Sequence, residues 1–77
     1  AMRILIVEDE PFIALDLEAL VREAGHEVFG LAETRSEALE QIDGVEMVLL
    51  DLNLRDGPSG VVLAEELTNR GLRVVVI

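Results

Sequence analysis

Short runs of branched apolar residues recur along the chain, separated by stretches whose apolar residues follow helical spacing. Runs of this length are typical of strands buried on both faces, as in a parallel sheet. They predict strands over 3–7, 46–50 and 74–77, and a weaker strand over 27–32 whose Gly30 suits a sheet edge. The runs are Ile4-Leu5-Ile6-Val7, Met47-Val48-Leu49-Leu50 and Val74-Val75-Val76-Ile77.

Three helices are predicted between these strands. The first covers 11–24, because Pro11 suits a first helical position and Gly25 suits a left-handed cap. The second opens with the capping box Thr34-Arg35-Ser36-Glu37 and ends near 42, and the third runs over 59–70 with Ser59 as its cap. The first helix is predicted to face inward through Ile13, Leu17, Leu20, Val21 and Ala24.

The alternation of strands and helices predicts an α/β fold. Right-handed crossovers make the sheet parallel, and the order β-α-β-α-β-α-β then places the strands in the order 2-1-3-4, a flavodoxin-like, doubly wound but incomplete sheet. The loops that leave strands one and three share one rim of this sheet. Phe12 and Phe29 are expected to fill the core.

Composition narrows the class of protein. The chain has 77 residues, which is enough for one small domain, and we assign residues 2–77 to it because Ala1 before Met2 resembles a cloning remnant. There is no Cys, so neither a disulfide framework nor a thiolate metal site is expected. The net charge of −10 disfavours direct contact with nucleic acid or anionic membranes. With no signal peptide or membrane span in the pattern, a cytoplasmic location is expected.

Acidic residues end two of the apolar runs. Glu8 and Asp9 follow the first strand, and Asp51 follows the third. Open parallel sheets bind ligands just beyond the carboxyl ends of their strands, so these side chains are expected to meet in one crevice. Clustered carboxylates repel one another. We expect Mg²⁺, which prefers oxygen ligands, to bind among them and to offset their negative charge. The alternative for Glu8, Asp9 and Glu10 is a purely local role as negative charges at a helix start.

The strand-end motifs resemble the receiver domain of two-component response regulators. The resemblance rests on Ile4-Leu5-Ile6-Val7-Glu8-Asp9-Glu10, on Val48-Leu49-Leu50-Asp51-Leu52-Asn53-Leu54, and on Gly57-Pro58-Ser59-Gly60. It implies that Asp51 is the phospho-acceptor, that Asp9 contacts Mg²⁺ directly and Glu8 through water, and that the backbone carbonyl of Asn53 ligates the metal. The implied partner is a sensor histidine kinase or a phosphotransfer protein.

The chain also departs from the receiver pattern. Receivers usually carry Ser or Thr directly after strand four and Lys at the end of strand five, whereas this chain stops at Ile77 and contains no Lys. It resembles about two-thirds of a receiver, and we expect a truncated or proteolysed fragment. Strand four would then be an apolar sheet edge, which predicts self-association. The loop after Asp51 is one residue longer than usual before Gly60, with Arg55 where proline is common.

Two other functions stay open at this stage. An aspartyl-nucleophile, Mg²⁺-dependent phosphohydrolase would want a second Asp two residues after Asp51, where this chain has Asn53. A receiver-like interaction module that is not phosphorylated in this form is the stronger alternative, because the hydroxyl and the Lys are missing. In the favoured interpretation the domain is not an enzyme, since it modifies itself and turns over no separate substrate.

Overall fold

The computed structural model describes residues 1–54 and 59–77. Strands and helices alternate in it without exception, as the apolar pattern predicts. The elements are β1 (Arg3–Val7), α1 (Pro11–Glu23), β2 (Glu27–Ala32), α2 (Arg35–Glu40), β3 (Met47–Leu50), α3 (Ser59–Asn69) and β4 (Arg73–Val76). The turn predicted at 56–58, Arg55 and the predicted cap by the Ser59 side chain lie outside this description.

The four strands form one parallel sheet in the order β2-β1-β3-β4. The flavodoxin-like order predicted from the sequence is therefore confirmed. The pairing of β1 with β3 runs from Ile4 opposite Met47 to Val7 opposite Leu50. Because the two strands end in register, the residues that follow them emerge side by side on one rim.

The sheet edge at β2 is irregular. Its pairing with β1 shifts between Ile4 and Leu5, so that Val28 and Gly30 oppose consecutive β1 residues and Phe29 is the extra one. The side-chain amide of Gln41 lies over Gly30 and donates a hydrogen bond to the Leu31 carbonyl over 2.8 Å. The bulge, together with a side chain bound to the Leu31 carbonyl, makes this edge a poor template for another strand.

Apolar side chains fill both faces of the sheet. On one face, α2 and α3 cover a cluster that includes the fully buried Leu5, Val48, Leu63 and Leu67. On the other, α1 contributes Val21 to a smaller cluster with Ile4 and Ile6. The strands thus bury side chains in both directions, which explains why they read as continuous apolar runs rather than as alternating patterns.

The predicted inward stripe of α1 is partly wrong. Val21 is buried and Leu17 is half-buried, but Ile13 is 47% exposed and Leu20 is 59% exposed. The predicted core positions of Phe12 and Phe29 are also wrong, since these side chains are 81% and 37% exposed. For Phe12, Ile13 and Leu20, the cause is that α1 packs on β1 and β2 and buries its small Ala14, rather than a larger residue, near its start. Phe29 is the extra residue of the β2 bulge.

Local signals at the helix ends behave as predicted. Gly25 adopts a φ of 84° after α1, a conformation that costs glycine little. The Thr34 hydroxyl accepts the Glu37 N–H over 3.1 Å, and the Glu37 carboxylate reaches back to the Glu33 N–H. Within the described part of the chain, no helix is long and apolar enough to cross a membrane.

Candidate functional site

The rim at the carboxyl ends of β1 and β3 carries the acidic residues singled out in the sequence. The Asp51 N–H donates to the Val7 carbonyl over 2.9 Å, which continues the strand pairing by one residue and holds Asp51 beside Glu8. One carboxylate oxygen from each of Glu8, Asp9 and Asp51 lies within 4.8 Å of the others. The predicted convergence of these side chains, 42 residues apart along the chain at Asp9 and Asp51, is confirmed.

This acidic trio (Glu8, Asp9 and Asp51) is largely withdrawn from solvent. Glu8 is 6% exposed and Asp9 8% exposed, whereas Asp51 is half-buried. The backbone holds two of the carboxylates in place. Glu8 Oε1 accepts the Glu10 N–H over 3.0 Å, and Asp51 Oδ1 accepts the Asn53 N–H over 2.9 Å. Each acid is thus oriented by the loop that follows its own strand.

Electrostatics sets Glu8 apart from an ordinary glutamate. Burial raises the pKa of its carboxyl above the usual range, and a hydrogen bond and negative charge from Asp51 raise it further, with a smaller contribution from the charge of Asp9. The Glu10 N–H opposes this rise in pKa because it stabilises the charged form. A carboxyl whose pKa is raised by burial and by neighbouring acids, at the end of a buried strand, is typical of a functional site.

The loop after Asp51 is held against the rest of the domain. Leu54 is buried and Leu52 packs against the larger apolar cluster. Gly60, in the first turn of α3, approaches the Leu52 backbone so closely that a Cβ at this position would lie 2.6 Å from both the Cα and the carbonyl oxygen of Leu52. Gly60 therefore allows α3 to pack next to the residue that follows Asp51.

The donor set fits a hard divalent cation. Mg²⁺ prefers oxygen ligands and usually takes one or two carboxylates together with waters. Across residues 1–54 and 59–77, the acidic trio is the one group of three or more His, Cys, Asp or Glu side chains that converges in this way. Asn53 is exposed, and its backbone N–H donates to the Asp51 carboxylate.

Comparisons with solved structures agree with this geometry. The receiver domain of the response regulator PhyR from Erythrobacter litoralis superposes with a TM-score of 0.89 at 38% identity, over 99% of this chain. PhyR from Brucella abortus gives a TM-score of 0.89 at 43% identity, also over 99% of this chain. The chain belongs to the receiver domains of response regulators. The family suggested by the strand-end motifs is thereby confirmed.

Curated relatives of this receiver are also regulators. The phyllosphere-induced regulator PhyR of Methylorubrum extorquens is 50% identical over 79% of this chain, and PdtaR of Mycobacterium tuberculosis is 33% identical over 97% of it. The chain spans 24% and 37% of the length of these two proteins, and 61% of the Erythrobacter litoralis receiver chain. No protein-family model matches it.

The sequence named the acids of this site but missed their immediate neighbours. The Glu10 N–H that binds Glu8, and the Leu52 backbone that meets Gly60, contribute main-chain atoms whose role no side-chain pattern reveals. For the contact between Gly60 and the Leu52 backbone, the glycine itself was the signal that the sequence offered. The roles of Glu8, Asp9, Asp51 and Asn53 in binding metal and phosphate stay predictions.

Proposed function

We propose that this receiver accepts a phosphoryl group on Asp51 from a phosphohistidine of a sensor kinase or phosphotransfer protein, with Mg²⁺ present. The convergence of the acidic trio at one rim of a receiver sheet is the observation that carries this proposal. Asp51 is the member best suited to react. It is half-buried, whereas Glu8 and Asp9 are buried, so its carboxylate is the one that a donor can reach.

The chain's own groups supply positioning. The Asn53 backbone N–H donates to Asp51 Oδ1 and orients the carboxylate. We propose Oδ2 as the atom that attacks the phosphorus. In that step an O–P bond forms, the N–P bond of the donor breaks, and its electron pair stays on the departing imidazole. Phosphoryl transfer needs little acid–base chemistry beyond such positioning.

Mg²⁺ would offset the repulsion between the phosphoryl group and the acidic trio. A phosphoryl dianion brought to three clustered carboxylates would be repelled by each of them. Mg²⁺, held by Glu8, Asp9, Asp51 and the Asn53 carbonyl, would supply the neutralising positive charge. We propose Asp9 as a direct ligand and Glu8 as one that acts through water. These roles are the ones that the resemblance to receivers implies for Glu8, Asp9, Asp51 and Asn53.

The wider role follows from the same proposal. The domain would act as a cytoplasmic switch that turns over no separate substrate and contacts neither nucleic acid nor membrane. A solved structure shows PhyR of Bartonella quintana in complex with the anti-sigma factor NepR. This chain is 35% identical to the 32% of that chain that it covers. A protein partner agrees with either candidate, because the second is a receiver-like interaction module that is not phosphorylated in this form.

One experiment separates the two candidates. The chain is incubated with Mg²⁺ and acetyl phosphate and weighed by intact-mass spectrometry, alongside Asp51→Asn and the control Asp43→Asn, an exposed acid outside the trio. A mass gain of one phosphoryl group in the wild type and in Asp43→Asn, but not in Asp51→Asn, supports the acceptor. No gain in any protein, with Mg²⁺ still binding, supports the interaction module, and continuous phosphate release would indicate a hydrolase.

We also propose that the 77-residue chain self-associates through β4. This strand lies at the sheet edge, and Val75, Val76 and Ile77 are 42%, 49% and 48% exposed. An exposed apolar edge strand is a template for pairing with a second copy.

A further inference from the structure

A groove lies between the first half of α1 and the end of β2. Its apolar walls are Pro11, Ala14 and Leu15 from the helix and Leu31 from the strand. Leu15 is 59% exposed and Leu31 is 44% exposed, so two branched side chains present much of their surface to solvent there. Exposed apolar surface bordered by polar groups is typical of a binding site for another molecule.

The size of the groove limits what could occupy it. It encloses about 260 Å³. Sites for drug-sized ligands and cofactors usually measure about 300–1,000 Å³, so this one is below their range. The volume suits instead one or two bulky apolar side chains of a partner protein, anchored in a small pocket with a polar rim.

The rim of the groove is acidic. Glu8, Glu18 and Glu33 line it, and its described lining contains neither Lys nor Arg. Arg22 offsets part of the Glu18 charge through a 3.0 Å ion pair. At Glu33, the backbone N–H donates to the Glu37 carboxylate over 3.0 Å, which places a further negative charge next to this end of the groove.

Charge decides between the classes of occupant. Anionic lipid would be repelled by this rim. A second copy of the chain has few basic residues to place against this rim, since it contains 16 acidic residues and only 6 Arg. A partner segment that carries Lys or Arg on both sides of an apolar residue would satisfy both the walls and the rim.

We propose that the groove between α1 and β2 binds a basic amphipathic helix of a partner protein. A bulky apolar side chain of that helix would sit between Leu15 and Leu31, and its Lys or Arg residues would face Glu18 and Glu33. Because Glu8 also belongs to the acidic trio, the bound helix would lie beside Asp51. The proposal does not depend on phosphorylation.

The first test uses the ¹⁵N-labelled chain and synthetic helical peptides of about 15 residues. One series places Leu or Phe between Lys and Arg residues, and the matched series replaces the basic residues with Glu. The basic series is expected to shift the amide signals of Leu15, Leu31 and Glu33, and the acidic series is not. If no basic peptide shifts these signals at about 1 mM, or if both series do so equally, the proposal is overturned.

The second test uses two substitutions matched in residue, helix and exposure. Leu15 and Leu20 both lie on α1 and are both 59% exposed, but only Leu15 lines the groove. Leu15→Lys is expected to weaken the best basic peptide at least about 10-fold, and Leu20→Lys less than about 3-fold. Equal losses in the two variants would show that binding depends on overall charge and would overturn the proposal.

A third variant tests the rim without altering the apolar walls. Glu33→Gln is expected to weaken the basic peptide about 3-fold and to reduce the salt dependence of its affinity, whereas Glu65→Gln, an exposed acid on α3, leaves both unchanged. This variant also serves if Leu15→Lys does not fold. Unchanged affinity and salt dependence in Glu33→Gln would contradict the proposed charge pairing.

Discussion

Glu8→Gln should stabilise the metal-free chain at neutral pH. The substitution keeps the shape of the side chain and an oxygen that can still accept the Glu10 N–H, which lies 3.0 Å from Glu8 Oε1. It removes one of the three negative charges whose oxygens lie within 4.8 Å of one another. The change therefore isolates electrostatic repulsion from packing.

The magnitude follows from that distance. Two like charges 4.8 Å apart repel by about 3.5 kcal/mol at an effective dielectric constant of about 20. Asp51 is half-buried, so solvent screens part of this repulsion, and we expect a net gain of about 1–2 kcal/mol. In a domain of this size, that gain raises Tm by about 5–10 °C.

The pH dependence gives the effect a signature. The folded-state pKa of Glu8 is raised, so the folded chain binds this proton more tightly than the unfolded chain. The contribution of Glu8 to stability is therefore most favourable below the ordinary glutamate pKa, and it falls as pH rises through the raised pKa. The advantage of Glu8→Gln should be near zero at about pH 4, below the ordinary glutamate pKa, and should be larger at about pH 8.

The assay is thermal unfolding followed by circular dichroism across this pH range, with Glu10→Gln as the control. Glu10 is the exposed neighbour outside the trio, and its substitution should change stability by less than about 0.5 kcal/mol. Mg²⁺ at about 10 mM should stabilise the wild type more than Glu8→Gln, because binding adds RT ln(1 + [L]/Kd) to stability. An equal effect of the two substitutions at pH 8, or a gain from Glu8→Gln that persists at pH 4, would refute the reasoning.

Three further predictions test the loop, a helix cap and the sheet edge. Gly60→Ala should destabilise the chain by about 1–3 kcal/mol in urea unfolding and should weaken Mg²⁺ binding. The reason is that the new Cβ would lie 2.6 Å from Leu52 backbone atoms. Unchanged stability would contradict that close approach. Thr34→Ala should lower the free energy of unfolding by about 0.5–2 kcal/mol, because the Thr34 hydroxyl accepts an N–H at the start of α2. Thr68→Ala should lower it by less, since the Thr68 hydroxyl donates to a carbonyl within α3. Equal losses of stability in the two variants would exclude a capping effect. In sedimentation at high micromolar concentration the chain should form dimers or larger species that Val75→Lys disperses, and a monodisperse wild-type monomer would contradict pairing through β4.

Much of the fold could be predicted because its signals are local. The runs at β1 and β3 are apolar on both faces, so each is a strand whatever covers it. Gly25 and Thr34 mark helix ends through their own backbone and side-chain chemistry. Strand order then follows from connection rules, and the structure agrees with it.

The errors lie where a residue depends on what packs against it. Helical spacing correctly groups Leu17 and Val21 on one face of α1, but it also includes Ile13 and Leu20, which are about half exposed. Periodicity defines which side chains share a face; it does not define how wide a surface the rest of the chain presents to that face. Phe29 is misplaced for a related reason, since the bulge in β2 shifts the alternation of inward and outward residues.

The sequence by itself determined the parallel α/β fold and the acids that end its strands, because apolar runs, caps and strand-end residues are properties of neighbouring positions. Only the tertiary structure decided that the carboxylates of Glu8, Asp9 and Asp51 meet within 4.8 Å and that burial raises the pKa of Glu8. It also decided that Leu15 and Leu31 form a groove with an acidic rim. The short distances between the carboxylates and the burial of Glu8 depend on the register of β1 with β3, and the groove depends on the packing of α1 on β2. Both bring distant parts of the chain together.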